Sequence, residues 1–197
     1  MYTAKATIEN YLQVTINSSL NDYIDDCIVA VDNWIDSYTG TTFESSETTK
    51  LYDGTGDKEI LVDDFTGLTK IQVIDSAGNV AYTMDEASDY YLYPSNTTPK
   101  TKIQFNPNGA SVSLFPIGYQ NVKVYATFGH SASAPKDVEL VATMLASNVL
   151  RDSQDSAISN FKSEKLGDYA VTLTDIDTVA DRLGVKKMLD MYKKYYL

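Results

Sequence analysis

Near the N-terminus, apolar residues recur in steps of three and four. Leu20, Ile24, Cys27, Ile28, Val31, Trp34, Ile35 and Tyr38 fall on one stripe of a helix. Asn21, Asp22, Asp25, Asp26, Asp32, Asn33 and Asp36 take the opposite face. Asn17-Ser18-Ser19 supplies N-cap side chains, and Gly40 stands where a helix is expected to stop. A shorter helical piece, Ile8 to Leu12, precedes this helix.

The period then changes to two. Lys50-Leu51-Tyr52 and Glu59 to Val62 flank Asp53-Gly54-Thr55-Gly56-Asp57, which predicts a hairpin turn. Leu68 to Ile74 alternates, Ser76-Ala77-Gly78-Asn79 turns, and Val80 to Met84 returns. Tyr90 to Tyr93 ends at Pro94, and Thr101 to Phe105 runs into Asn106-Pro107-Asn108-Gly109. Ser111 to Phe115 and Asn121 to Phe128 complete the strands. Short strands separated by turn residues predict an antiparallel sheet or a small sandwich.

After Gly129 the helical period comes back. Pro135 suits a first helical turn, where a missing N–H costs nothing. Val138, Val141, Ala142, Leu145, Ala146 and Val149 form the buried stripe, and Ser153 to Ser159 is polar and looser. Phe161 to Gly167 reads as a connector and Tyr169 to Leu173 as a short extended segment. A last helix is predicted from Asp177 to the end, carrying Val179, Leu183, Met188 and Leu189, with Gly184 weakening its middle. Neither helical region can bury its stripe alone, whereas packing the two together buries both. The predicted fold is therefore α+β: a small helical bundle, residues 1–45 and 130–197, with an inserted antiparallel β region, residues 46–129.

Composition narrows the function. Apolar residues make up 43% of 197, enough for a packed core. No long apolar run predicts a membrane span, and the N-terminus lacks the basic-then-apolar order of a secretory signal. With Cys27 as the single cysteine, no internal disulfide can form, which suits a reducing cytoplasm. The formal charge is −11, and arginine occurs only as Arg151 and Arg182. A protein that grips phosphates needs clustered Lys and Arg, so specific nucleic-acid binding is not expected. Tyrosine is abundant, 15 against 6 Phe, and favours half-buried and interface positions.

Candidate chemistry is sparse. His130 has Ser131 and Ser133 beside it but no Gly-x-Ser-x-Gly elbow, so a turn role outweighs catalysis. Cys27 lies on the apolar stripe and reads as a small buried hydrophobe. One Cys and one His cannot build a four-ligand zinc site. Asp53 to Asp57 resembles part of a calcium loop but lacks its further acidic ligands. In the pairs Asp25-Asp26 and Asp63-Asp64, adjacent side chains point apart. Asn17-Ser18-Ser19 and Asn96-Thr97-Thr98 match the glycosylation sequon, a frequent coincidence. The chain is therefore expected to be no enzyme, with no cofactor and no metal. The end, Met191-Tyr192-Lys193-Lys194-Tyr195-Tyr196-Leu197, is unusually apolar for a terminus. It would either dock on the protein's own core or enter a partner's groove.

Four segments together resemble the head–tail connector, or adaptor, proteins of tailed bacteriophages. They are the helix closing on Tyr38-Thr39-Gly40, the inserted β region with Leu68 to Ile74 and Tyr90-Tyr91-Leu92, the stretch Asn121 to His130 followed by Pro135 to Val138, and Ser163 to Val171 with its Glu-Lys-x-Gly-Asp-Tyr order. His130 stands where the family usually has an aromatic residue. The stretch after Asp175 matches least. The resemblance implies a virion neck protein, assembled in the host cytoplasm into a homo-oligomeric ring of about twelve copies. It implies a portal protein on one side, a downstream neck or tail protein on the other, and DNA passing through without specific binding. By the same analogy the portal contact would use Phe161, Lys162, Leu166, Gly167, Asp168, Tyr169, Met191, Tyr192, Tyr195, Tyr196 and Leu197. The competing reading is a non-catalytic β-rich binding module of a virion or cell surface.

Overall fold

The computed structural model describes residues 1–84, 88–109, 114–158 and 173–194. The helices are α1 (Lys5–Leu12), α2 (Asn21–Thr39), α3 (Lys136–Ile158), α4 (Leu173–Leu183) and α5 (Lys186–Leu189). The strands are β1 (Ser46–Gly54), β2 (Glu59–Ile74), β3 (Val80–Met84), β4 (Tyr90–Tyr93), β5 (Lys100–Phe105) and β6 (Gly118–Phe128). Single 3-10 turns cover Ser18–Leu20 and Asp190–Tyr192. The chain divides into two compact units, Met1–Thr41 with Ala134–Leu197, and Thr42–Ser133. Its class is α+β.

In the helical unit the stripe of α2 is buried as its spacing predicts. Ile24, Cys27, Ile28, Val31, Trp34 and Ile35 are inside, while Leu20 and Tyr38 at its ends are half-buried. Each fully buried aliphatic side chain contributes roughly 1.5–3 kcal/mol relative to an exposed one. Asn17 Oδ1 accepts from the Ser19 N–H at 3.0 Å and so caps the 3-10 turn Ser18–Leu20, whereas α2 itself follows Leu20 with no side-chain cap, because the short turn comes between. Gly40, at φ 66°, closes α2 with its N–H on the Asp36 carbonyl at 2.8 Å. Two residues of the polar face are less exposed than their periodicity suggests. The Tyr2 N–H donates to Asp32 at 3.1 Å and the Tyr2 hydroxyl bonds Asp36, so the N-terminal segment folds back over that face.

Helix α3 touches α1, α2, α4 and α5. Val138, Val141, Ala142, Leu145, Ala146, Val149 and Leu150 are buried along it. Thr143, also buried, meets Thr3 side chain to side chain at 2.8 Å. The Pro135 carbonyl accepts the first helical bond, from Glu139 at 2.9 Å. The helix runs unbroken to Ile158, through Ser153 to Ser156, where the polar composition predicts a looser stretch. The predicted final helix starts earlier and is split where Gly184 weakens its middle. It begins at Leu173, not Asp177, and breaks at Gly184, whose φ is 69°. Its Gly184 N–H bonds the Asp181 carbonyl and its Val185 N–H the Ala180 carbonyl, the pattern of a helix stop.

The β unit is one six-stranded antiparallel sheet in the order β1-β6-β2-β5-β4, with β3 beside β2. On β6, Val122, Val124, Ala126 and Phe128 alternate inward. They join Ile60, Phe65, Ile71, Met84, Ile103, Phe105 and Phe115 in a single core. The segments Glu59 to Val62 and Leu68 to Ile74, read as two strands, form one bent strand, β2. Its register shifts between Leu61 and Phe65 and again on either side of Gly67 and Leu68. Asp64 and Phe65 are buried in succession there, which simple alternation forbids and a bulge permits.

The hairpin expected around Asp53 to Asp57 is not formed, because β1 pairs with β6 and β2 pairs with β5, β6 and β3. The turn is held instead by the β5–β6 connection. Gly56 N–H bonds the Phe115 carbonyl at 2.7 Å, and Phe115 N–H bonds the Asp57 carbonyl at 2.8 Å. Of the predicted strand Ser111 to Phe115, residues 111–113 lie outside the described residues, and Leu114 and Phe115 belong to this connection.

Candidate functional site

The C-terminal candidates separate in the structure. Tyr192 is committed to its own unit: its hydroxyl donates to the Asp137 carboxylate, 3.0 and 2.9 Å from the two oxygens. Burial, reinforced by the Asp137 charge, pushes this phenol up to about 12. The Lys194 N–H bonds the Thr39 carbonyl at 2.8 Å, and the Tyr38 hydroxyl bonds Asp190 at 2.6 Å. Lys193 lies 4.3 Å from the Tyr38 ring centre, and that ring stacks on Trp34 at 5.2 Å. Residues 190–194 thus strap the end of α2 to the start of α3. Met191 points the other way and is 74% exposed. Phe161, Lys162, Leu166, Gly167, Asp168, Tyr169, Tyr195, Tyr196 and Leu197 lie outside the described residues.

The remaining candidates have structural surroundings. His130 packs edge-on to Phe43 with ring centres 5.6 Å apart, and its Nδ1 is 4.0 Å from Asp64, a buried carboxylate. Its backbone N–H bonds the Thr42 carbonyl at 2.9 Å. The Ser131 hydroxyl bonds the carbonyls of Phe43 and Ser133. Asp63 faces away from Asp64, toward Lys50 at 2.8 Å and the Tyr52 hydroxyl at 3.0 Å. Cys27 is fully buried, and that burial pushes its thiol up to about 11 despite a hydrogen bond with Tyr23. Such a thiol is unreactive near neutrality. Among the described residues, no three His, Cys, Asp or Glu side chains are grouped to hold a metal ion, and no helix is long and apolar enough to cross a membrane.

One surface has no counterpart in the sequence reading. The end of the β5–β6 connection and the start of β6 present Ile117 and Tyr119, 83% and 93% exposed, with the half-exposed Leu114 shortly before them in the chain. Its geometry is tightly held. Asn121 accepts from the Gly54 N–H and donates to the Pro116 carbonyl, both at 2.8 Å. Asp53 accepts from the N–H of Gln120, a residue at φ 50°. The signal available was Leu114-Phe115-Pro116-Ile117-Gly118-Tyr119, an apolar run interrupted by Pro and Gly, which reads as turn chemistry and not as display.

The fold defines an α+β protein built of two compact units. Solved structures narrow this. The fold is similar to a chain in the neck of an empty gene transfer agent particle computed with C6 symmetry, with TM-score 0.58, 12% identity, and coverage of 98% of this chain and 89% of that one. It is similar to a chain in the virion of a native gene transfer agent particle, with TM-score 0.51 and 14% identity over 98% of this chain and 89% of that one. A chain in a native gene transfer agent neck computed with C12 symmetry matches at TM-score 0.49 and 15% identity. No family model matches the sequence, and no curated protein is significantly similar to it.

Proposed function

We propose that this chain is a structural neck component of a tailed, phage-like particle, acting by assembly and not by catalysis. The observation that carries the reading is the likeness to the chain in the empty gene transfer agent neck, which spans 98% of this chain and so includes both units. In this reading the copies form a ring that joins the portal to the tail or the next neck protein and extends the DNA channel. A head-to-tail ring needs two different complementary faces on each subunit, and two units of unlike surface chemistry supply them. The six-fold symmetry of that neck is compatible with a ring of about twelve. Exposed Asp22, Asp25 and Asp26 on α2 leave passing DNA unheld. The portal contact falls to Phe161–Tyr169 and Tyr195–Leu197, since Tyr192 is engaged with Asp137 inside its own unit.

The test is to tag the chain and image the particle it belongs to. Extra density in a ring at the capsid vertex supports the reading. Density elsewhere, or a tagged chain absent from purified particles, overturns it.

A further inference from the structure

The turn Asn106-Pro107-Asn108-Gly109, which follows β5, carries the chain's one Asn-Gly pair. Two hydrogen bonds shape it. Asn106 Oδ1 accepts from the Asn108 N–H at 3.1 Å, and the Asn106 carbonyl accepts from the Gly109 N–H at 3.2 Å. Asn106 is in turn held to the segment before β4. Its Nδ2 donates to the Ser88 carbonyl at 2.7 Å, and its N–H donates to the Asp89 carbonyl at 2.9 Å. Position 109 must be glycine, because an added Cβ would lie 2.0 Å from the Ser88 carbonyl oxygen. The Asn108 side chain, by contrast, is exposed and has no hydrogen-bond partner among the described residues.

Asparagine is a chemically labile residue, and one followed by glycine is open to attack by its own backbone. The attacking atom here is the Gly109 nitrogen, once its proton has gone to hydroxide. Glycine puts no side chain in the way. Ring closure at Asn108 breaks only the 3.2 Å bond to the Asn106 carbonyl, which is at the long end of the range. The chain's one Asp-Gly pair, Asp53-Gly54, has the same connectivity in the opposite setting. Gly54 is buried and its N–H donates to Asn121 Oδ1 at 2.8 Å, while Asp53 Oδ1 accepts from the Gln120 N–H at 2.7 Å. Asn106 is protected in another way, since Pro107 has no N–H to lose.

We propose that Asn108 is a site of spontaneous deamidation, with water as the co-reactant. The Gly109 nitrogen forms a bond to Asn108 Cγ, the Cγ–Nδ2 bond breaks, and Nδ2 leaves as ammonia with a proton from water. Water then opens the cyclic imide at either of its two carbonyls. Opening at Cγ leaves aspartate. Opening at the Asn108 carbonyl carbon leaves isoaspartate, whose backbone is longer by a methylene. Nothing is oxidised or reduced. Either product adds a negative charge to the turn, and isoaspartate also displaces Gly109 from its seat against Ser88. The fold selects the site, because it requires the glycine that makes Asn108 labile and leaves that exposed amide unbraced. The site does not depend on the neck reading.

The test is peptide mapping by mass spectrometry of the full-length chain after incubation at neutral and at mildly alkaline pH. Isoaspartate is read by carboxyl methyltransferase labelling. Conversion at Asn108 ahead of the other described asparagines is expected, with isoaspartate among the products and a higher rate at the alkaline pH. No conversion at Asn108, or faster conversion at Asn10, Asn79 or Asn96, which are also exposed, overturns the proposal. The Asp53→Asn variant tests the part played by the fold, since it puts a second Asn-Gly pair in the braced setting. The asparagine so introduced should convert about tenfold more slowly than Asn108, because it must first release bonds of 2.7 and 2.8 Å. Conversion at position 53 as fast as at Asn108 overturns the selection of the site by the fold.

Discussion

The Tyr192 hydroxyl sits between the two carboxylate oxygens of Asp137, 3.0 and 2.9 Å away, and fastens the chain's last described turn to the first turn of α3. Asp137 at that position already faces the positive end of the α3 dipole. One carboxylate therefore steadies the start of a helix and anchors the C-terminal segment together.

Replacing Tyr192 by Phe keeps the ring and removes the bond. A loss of about 1 kcal/mol in urea unfolding is expected. The Lys194 amide, bonded to the Thr39 carbonyl, should also exchange faster. Unchanged exchange at Lys194 would show that the strap does not depend on Tyr192.

Truncation separates the two parts of the C-terminus. Ending the chain after Lys194 keeps the bonds to Asp137, Thr39 and Tyr38, so the melting temperature should hold. Ending it after Asp190 removes the first two of these, and the melting temperature should fall by several degrees. Equal melting of the two truncations would contradict this.

Alkaline pH should weaken the helical unit in order. Cys27 is raised from 9.0 to about 11, and Tyr192 from 10.0 to about 12, both because burial disfavours the charged form. A raised folded-state value means the stabilisation is complete below the unfolded value and is lost as pH rises through the folded one. Stability should thus decline from about pH 9 through 11 as the thiol ionises and from about pH 10 through 12 as the phenol does. Cys27→Ala should cost stability at pH 7 and flatten the first decline, as read by chemical denaturation across pH.

Gly54→Ala tests the bracing of the Ile117–Tyr119 loop. The new Cβ would meet the Pro116 carbonyl oxygen at 1.9 Å, so backbone must move. A loss of about 1–3 kcal/mol is expected. Gly67→Ala has only the Thr127 hydroxyl nearby, at 3.8 Å, and should cost less. Equal costs for the two would mean that the Gly54 approach is not a constraint.

Local periodicity determined much of this protein by itself. The α2 stripe from Ile24 to Ile35, the Gly40 stop and the inward alternation of Val122, Val124 and Ala126 are set by residues within a few positions of one another, so a linear reading finds them. The burial of Cys27 followed from the same spacing. Other features depend on partners far along the chain. Lys50 faces Val124 across β1 and β6, and no property of Asp53 to Asp57 reports that its neighbours will come from residues 115–121. Phe65 could not be seen to follow a buried Asp64 until the β2 bulge was in place. The sequence could state that the C-terminus was sticky but not where each side chain went. Tyr192 turned inward because Asp137 waits there, while Met191, one residue earlier, was left facing out. Spacing along a chain sets which face a residue occupies, and only the assembled tertiary structure decides what that face meets.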